Sequence, residues 1–194
     1  MIILASQSQS RKAMLAAAGV DFITVPAHLD EREIEAGMAG AAADDIARAL
    51  AGAKAVSVSL RQPGALVLGS DSLVQVAGRR FDKPANRADA AAHLRYFSGQ
   101  VLQLYSAAAL ARDGETIWQC DAMAALQVIE LSDAFIDAYL DAEWPAVSGC
   151  VGVFRLEARG VQLFERIEGD HFTVLGMPLL SVLGALREHG ELLR

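Results

Sequence analysis

The sequence predicts an α/β protein: a mixed sheet with helices flanking it. Short apolar, β-branched runs such as "MIILA" and "FITVPA" alternate with stretches of helical apolar spacing, and helices placed between strands make those strands parallel. Two long extended runs, residues 100–112 and 115–131, are joined by Asp113-Gly114, a strong hairpin signal that adds an antiparallel pair. The composition, 53% hydrophobic and 21% charged over 194 residues, suits one substantial core. A single domain over residues 1–194 is expected, with two lobes able to share that core and loops gathered at a cleft.

Each element has its own signal. Residues 1–5 read as a buried strand, and a helix follows at once with Met14, Leu15 and Ala18 on its apolar face and Gly19 as its stop. Residues 22–27 form a second strand closed by Pro26. Residues 28–43, charged and then small, read as a loop or flap. Asp44 or Asp45 begins a helix with Ile46, Leu50 and Ala53 on one stripe, which leaves Arg48 and Lys54 on the surface. "ALVLGSDSLVQVAGRRF" reads as a strand that breaks to expose one carboxylate, and "DKPAN" as a loop. A helix over 87–97 brings Ala90, Leu94 and Phe97 together. After the hairpin, Ser132 caps a helix carrying Phe135, Ile136, Tyr139 and Leu140. Extended pieces at 150–157, a helical turn in "VQLFERI" and a closing helix begun by Pro178 complete the chain.

The totals exclude several classes. A formal charge of −7 disfavours a protein that wraps nucleic acid, so any basic site is local. "MIILAS" lacks the basic start of a signal peptide, and the apolar segment 172–186 is short and interrupted by Gly176 and Pro178, so neither export nor a membrane span is expected. Cys120 and Cys150 have neither pair nor zinc spacing and read as reduced, buried thiols in cytosol.

Three places in the chain hold residues that need partners. The first helix opens with Ser8, Ser10, Arg11 and Lys12 and no acid, although a helix N-terminus disfavours cations. Either these groups point to water, or hydroxyls, free N–H groups and two cations receive a multiply charged anion such as a phosphate chain. Asp71 lies in a strand pattern where aspartate is depleted. It either makes a turn or takes a cation or a water as partner. Asp30, Glu31 and Glu33 are either solvated surface or hard oxygen ligands for magnesium or manganese. No G-x-S-x-G, H-E-x-x-H or G-x-x-x-x-G-K-[ST] is present, so serine-hydrolase, zincin and P-loop readings fall away.

The ordered set "LASQSQSRKAML", "HLDE", "ARALAGAKA", "LGSDSLV", "DKPAN", "FSGQVLQLYSAAAL" and "IEGDHFTVLGMPLL" resembles the Maf family of nucleoside triphosphate pyrophosphatases across nearly the whole chain. The resemblance implies a cytoplasmic enzyme that cuts a nucleoside triphosphate between its α and β phosphates with a divalent metal, Mg2+ or Mn2+. It implies an inosine-triphosphatase-like fold, an elongated mixed sheet with flanking helices and a central cleft. Carried over by motif, Ser8, Arg11 and Lys12 match the phosphate-binding start, Glu31 the flap acid and Lys54 the helix lysine. Asp71 matches the proposed general base, with Glu31 and Asp71 as metal ligands. Lys83 matches the lysine of the "KP" motif, and Glu157 in "FRLEARG" the family's Gln or Glu. A homodimer is compatible with the resemblance, whereas stable nucleic-acid or membrane partners are not expected.

The family commonly reads S-P-R-R where this chain has Ser8-Gln9-Ser10-Arg11, so one expected arginine is a serine unless Lys12 stands in for it, and lysine does not reproduce the bidentate fork. "Gly69-Ser70-Asp71" and "LFERIEG" look closer to the subgroup acting on 7-methyl-GTP than to the one acting on dTTP and UTP. Rival readings are a non-catalytic regulator of septum formation that binds nucleotide or a partner, and a monophosphatase that releases orthophosphate.

Overall fold

The computed structural model describes residues 1–193, and in it Ile2–Leu4 forms β1 with all three side chains buried. Burial on both faces is what a central parallel strand requires. β1 pairs in parallel with β2 (Phe22–Thr24), Ile3 opposite Ile23, and with β3 (Val67–Val76), Leu4 opposite Leu68. β4 (Arg79–Phe81) folds back antiparallel on the end of β3. With β5 (Val101–Arg112), β6 (Glu115–Val128) and β7 (Phe164–Glu168) the result is a seven-stranded mixed sheet, ordered β2-β1-β3-β5-β6-β7 with β4 against β3. The β5–β6 turn carries positive φ at both Asp113 (51°) and Gly114 (88°), the backbone a two-residue hairpin needs.

The helices are α1 (Gln9–Ala17), α2 (Glu31–Ala36), α3 (Ala43–Ser59), α4 (Arg87–Phe97), α5 (Asp133–Glu143), α6 (His171–Val174) and α7 (Leu179–Glu188). The mixed sheet with flanking helices is therefore as the sequence predicts. Among the described residues, no helix is long and apolar enough to cross a membrane.

The chain divides into two compact units. One comprises Met1–Ser72, Tyr105–Ala122 and residues from Asp170 onward, and the other Leu73–Leu104 and Met123–Gly169. In the first, Leu4, Leu68 and Leu110 from the strands meet Leu15 of α1, Leu186 of α7 and Met177, just before α7, in a continuous apolar cluster. In the second, the Phe81 ring stands edge-on to Phe97 at 4.8 Å, while Arg87 and Arg95 of α4 reach Asp141 and Asp133 of α5 at 2.6 Å.

Several local expectations need correction. The flap contains α2, because Asp30 caps it by accepting from the backbone N–H groups of Arg32 and Glu33. β3 runs unbroken through Asp71. Residues 150–157 form turns, and "VQLFERI" divides between a 3₁₀ turn (Arg159–Leu163) and β7. Ala18 is exposed, since α1 ends at Ala17. The two thiols are free but only half-buried.

Candidate active site

The loop between β1 and α1 carries Ser6, Gln7 and Ser8 before the helix begins. Ser8 caps α1, its Oγ accepting from Arg11 N at 3.4 Å, and Ser6 Oγ accepts from Ser8 N at 3.2 Å. The Arg11 side chain then runs back toward the sheet. Its Nε donates to the Gly176 carbonyl (2.9 Å), Nη1 to Ser6 Oγ (3.3 Å) and Nη2 to Ser72 Oγ (3.0 Å). A guanidinium has five N–H donors in a rigid plane, so among the described residues these bonds leave one N–H on each Nη, and such donors bind carboxylate or phosphate. Burial presses the Arg11 guanidinium below the ordinary arginine value, and Asp71 and then Glu31 oppose this. A cation this desolvated gains from a bound anion.

Gly176 makes that arrangement possible. Its φ of +104° belongs to glycine, and its carbonyl accepts from Arg11 and from the Ser70 hydroxyl (3.2 Å), with the Ser72 hydroxyl oxygen also 3.0 Å away. Ser10 Oγ donates to the neighbouring Leu175 carbonyl at 2.7 Å, tying α1 to the same turn.

The second half of the site depends on a close approach of α3 to β3. A Cβ on Gly69 would lie 2.2 Å from the Ala51 carbonyl and 2.7 Å from Ala55 N, so only glycine lets the helix backbone rest on the strand there. Lys54 precedes Ala55, and Asp71 lies two residues beyond Gly69 on the same strand face. The result is a Lys54 Nζ–Asp71 Oδ1 pair at 2.5 Å with both side chains 11% exposed, and Glu31 Oε2 at 3.0 Å from the same ammonium. This corrects two expectations: Lys54 is drawn inward, and Asp71 is buried rather than displayed. The ammonium is the partner that a buried carboxylate requires. Lys54 takes Oδ1, which leaves the other carboxylate oxygen for water.

The structure thus brings Ser8, Arg11, Lys54, Asp71 and Glu31 together in the first unit. Lys12 is half-buried on α1, beside Arg11 in sequence, and its backbone N–H donates to the Ser8 carbonyl at 3.2 Å. Lys83 and Glu157 belong to the second unit, where both are exposed. There they act electrostatically on the Cys150 thiol, whose pKa burial raises first and Glu157 next, while Arg155 and then Lys83 lower it. Arg155 is held by buried Glu143 through two hydrogen bonds, 2.8 and 3.1 Å.

Two carboxylates converging on one ammonium form a hard, anionic oxygen set. That chemistry fits Mg2+ or Mn2+ shared with phosphate oxygens, which both ions take together with one or two carboxylates. Among the described residues no group of three or more His, Cys, Asp or Glu side chains is assembled to hold a metal by itself. The residues present fit an ion that arrives with a polyphosphate.

Sequence reasoning missed Ser6, Ser72, Ser106 and Gly176 as parts of this site. The one available signal was Gly176 interrupting an apolar run, and glycine breaks such runs at turns whether or not a site is near.

Known proteins resemble this chain over nearly its whole length. A family model described as "Maf-like protein" matches residues 1–189. A nucleoside triphosphate pyrophosphatase of Nitrobacter winogradskyi is 47% identical over 186 residues, covering 96% of this chain and 92% of that one. A 7-methyl-GTP pyrophosphatase of Mesorhizobium japonicum is 45% identical over 193 residues, covering 98% and 97%. Among solved structures, a HAM1 protein from Coxiella burnetii matches 66% of this chain and 72% of its own at 17% identity, with a TM-score of 0.41.

Proposed function

The chain belongs to the Maf family, and from that premise we propose that it is a nucleoside triphosphate pyrophosphatase, hydrolysing the α–β phosphoanhydride to a monophosphate and pyrophosphate in nucleotide housecleaning. The observation that carries the reading is the conjunction, in one unit, of Arg11, with two N–H donors uncommitted among the described residues, and the largely buried Lys54–Asp71 pair joined by the exposed Glu31.

Asp71 acts as general base through the oxygen that Lys54 leaves open, orienting a water and taking its proton as it attacks the α-phosphorus in line with the leaving oxygen. Arg11, Lys12 and Lys54 neutralise charge that builds on departing pyrophosphate, and the Ser8 hydroxyl donates to a phosphate oxygen. Asp71 and Glu31 would hold a magnesium or manganese ion, which when bound supplies charge neutralisation at the phosphates. Lys83 and Glu157 are assigned to the substrate on their motifs. A cytoplasmic setting agrees with this chemistry.

The test is product identity over a panel of ordinary and modified nucleoside triphosphates, 7-methyl-GTP, dTTP and UTP included, with and without magnesium. Catalytic release of pyrophosphate is expected. Orthophosphate as sole product would indicate a phosphatase, and stoichiometric binding without turnover a regulatory protein.

A further inference from the structure

The two free N–H groups of Arg11 address an anion only while the guanidinium plane is fixed, and the group that fixes it lies beyond its direct partners. Ser72 Oγ accepts from Arg11 Nη2 at 3.0 Å, and it also lies 2.9 Å from Ser106 Oγ and 3.0 Å from the Gly176 carbonyl oxygen. A hydroxyl has a single proton to give. The Gly176 oxygen receives Arg11 Nε at 2.9 Å and Ser70 Oγ at 3.2 Å, and among the described residues the buried Ser70 hydroxyl has this carbonyl as its acceptor, whereas Ser72 has Ser106 as a second one, so the two lone pairs go to Arg11 and Ser70. The Ser72 proton is therefore directed to Ser106 Oγ, and the Ser106 proton to the Thr173 carbonyl at 2.9 Å.

The direction of this chain is set at both ends, because arginine only donates and a carbonyl only accepts. Its far end is anchored. Thr173 is fully buried, and its N–H and hydroxyl both donate to Asp170 Oδ2, the cap of α6, at 2.9 and 3.1 Å. Ser106, on β5, is itself fully buried, so it cannot meet a ligand. An alanine there would serve the core as well, unless the hydroxyl has this task.

We propose that Ser106 is a positioning residue for the phosphate-binding guanidinium of Arg11, acting through Ser72. The proposal rests on the pyrophosphatase reading. Without the Ser106 hydroxyl, the Ser72 proton turns to the Gly176 carbonyl and competes there with Arg11 Nε, so the guanidinium loses its fixed plane.

A double-mutant cycle between Ser106→Ala and Arg11→Ala tests this, read as kcat/KM for pyrophosphate release and as the affinity for inorganic triphosphate by calorimetry. Ser106→Ala is expected to lower both by about tenfold when Arg11 is present, the scale of one hydrogen bond to a charged group. In the Arg11→Ala background the same change is expected to cost less than about twofold. Equal losses in both backgrounds would reduce Ser106 to a structural residue and overturn the proposal, as would no loss in either. Ser106→Cys, of similar volume and with a weak donor, takes the place of alanine if that variant does not fold. If the wild type hydrolyses no triphosphate while the triphosphate cycle shows the coupling, the pyrophosphatase reading falls and the positioning role stands. If it turns over and both cycles are additive, the positioning role alone falls.

Discussion

Replacing Gly69 with alanine places a methyl group 2.2 Å from the Ala51 carbonyl oxygen and 2.7 Å from Ala55 N. Both are helix backbone atoms, so neither can rotate away. Moving the methyl from 2.2 Å out to the 3.0 Å below which real Cβ contacts are essentially never seen requires α3 and β3 to part by about 0.8 Å. An overpacked core of this kind loses about 2 kcal/mol, which for a domain of this size lowers the melting temperature by about 4–8 °C. The same displacement carries Lys54 away from Asp71, now at 2.5 Å, so turnover falls with stability. Gly52, in the same helix, is the control. A Cβ there meets only Thr116 Oγ1 at 3.7 Å, an ordinary contact, so Gly52→Ala is expected to gain about 0.5–1 kcal/mol through helix propensity and keep activity. Thermal melts and initial rates on both variants decide the matter. A Gly69→Ala protein with wild-type melting temperature and rate would refute the claim that this approach builds the site.

Other predictions follow from single groups. Burial, chiefly, depresses the His93 pKa below its ordinary 6.5, with Arg79 adding to this and Asp89 opposing. The unfolded chain then takes up this proton first, so the stability His93 confers is complete above about pH 6.5 and is lost as pH falls through the folded value. His93→Phe should flatten the melting temperature between pH 7 and 5, and an unchanged slope would count against it. Lys54→Met leaves the Asp71 carboxylate buried with its ammonium gone, and should cost about 3 kcal/mol in urea unfolding, most of it recovered by adding Asp71→Asn. Burial pushes the Cys120 thiol up to about 11, so its alkylation by iodoacetamide at pH 8 should run about a hundredfold slower in the native protein than in urea. Equal rates in the two conditions would contradict the burial.

What could be read from the sequence was what depends on neighbours along the chain. Asp113-Gly114 specifies its hairpin by its own backbone preferences, and Ser132 caps α5 by accepting from Phe135 N three residues on. The anion-ready start of α1 was legible for the same reason, since unopposed cations in a first turn need no tertiary knowledge to look unusual. Helix α2 was missed because its six residues bury no side chain and so show no apolar stripe. Helical periodicity puts Lys54 on the surface, because it places a side chain on a face but does not say that a carboxylate waits there. Asp71 gave away its importance but not its burial, because its partner lies 17 residues earlier on another element. Ser72, Ser106 and Gly176 meet across separations of 34 and 104 residues, and nothing in a serine's local sequence announces a proton chain.

The central claim is that Asp71 directs water onto the α-phosphorus of a nucleoside triphosphate held by Arg11 and Lys54. Hydrolysis in 18O-labelled water, with mass spectrometry of both products, measures this most directly. Label is expected in the nucleoside monophosphate alone, with Asp71→Asn slowing its incorporation by about a hundredfold or more. Label in the pyrophosphate, or incorporation by Asp71→Asn at the wild-type rate, would contradict the account.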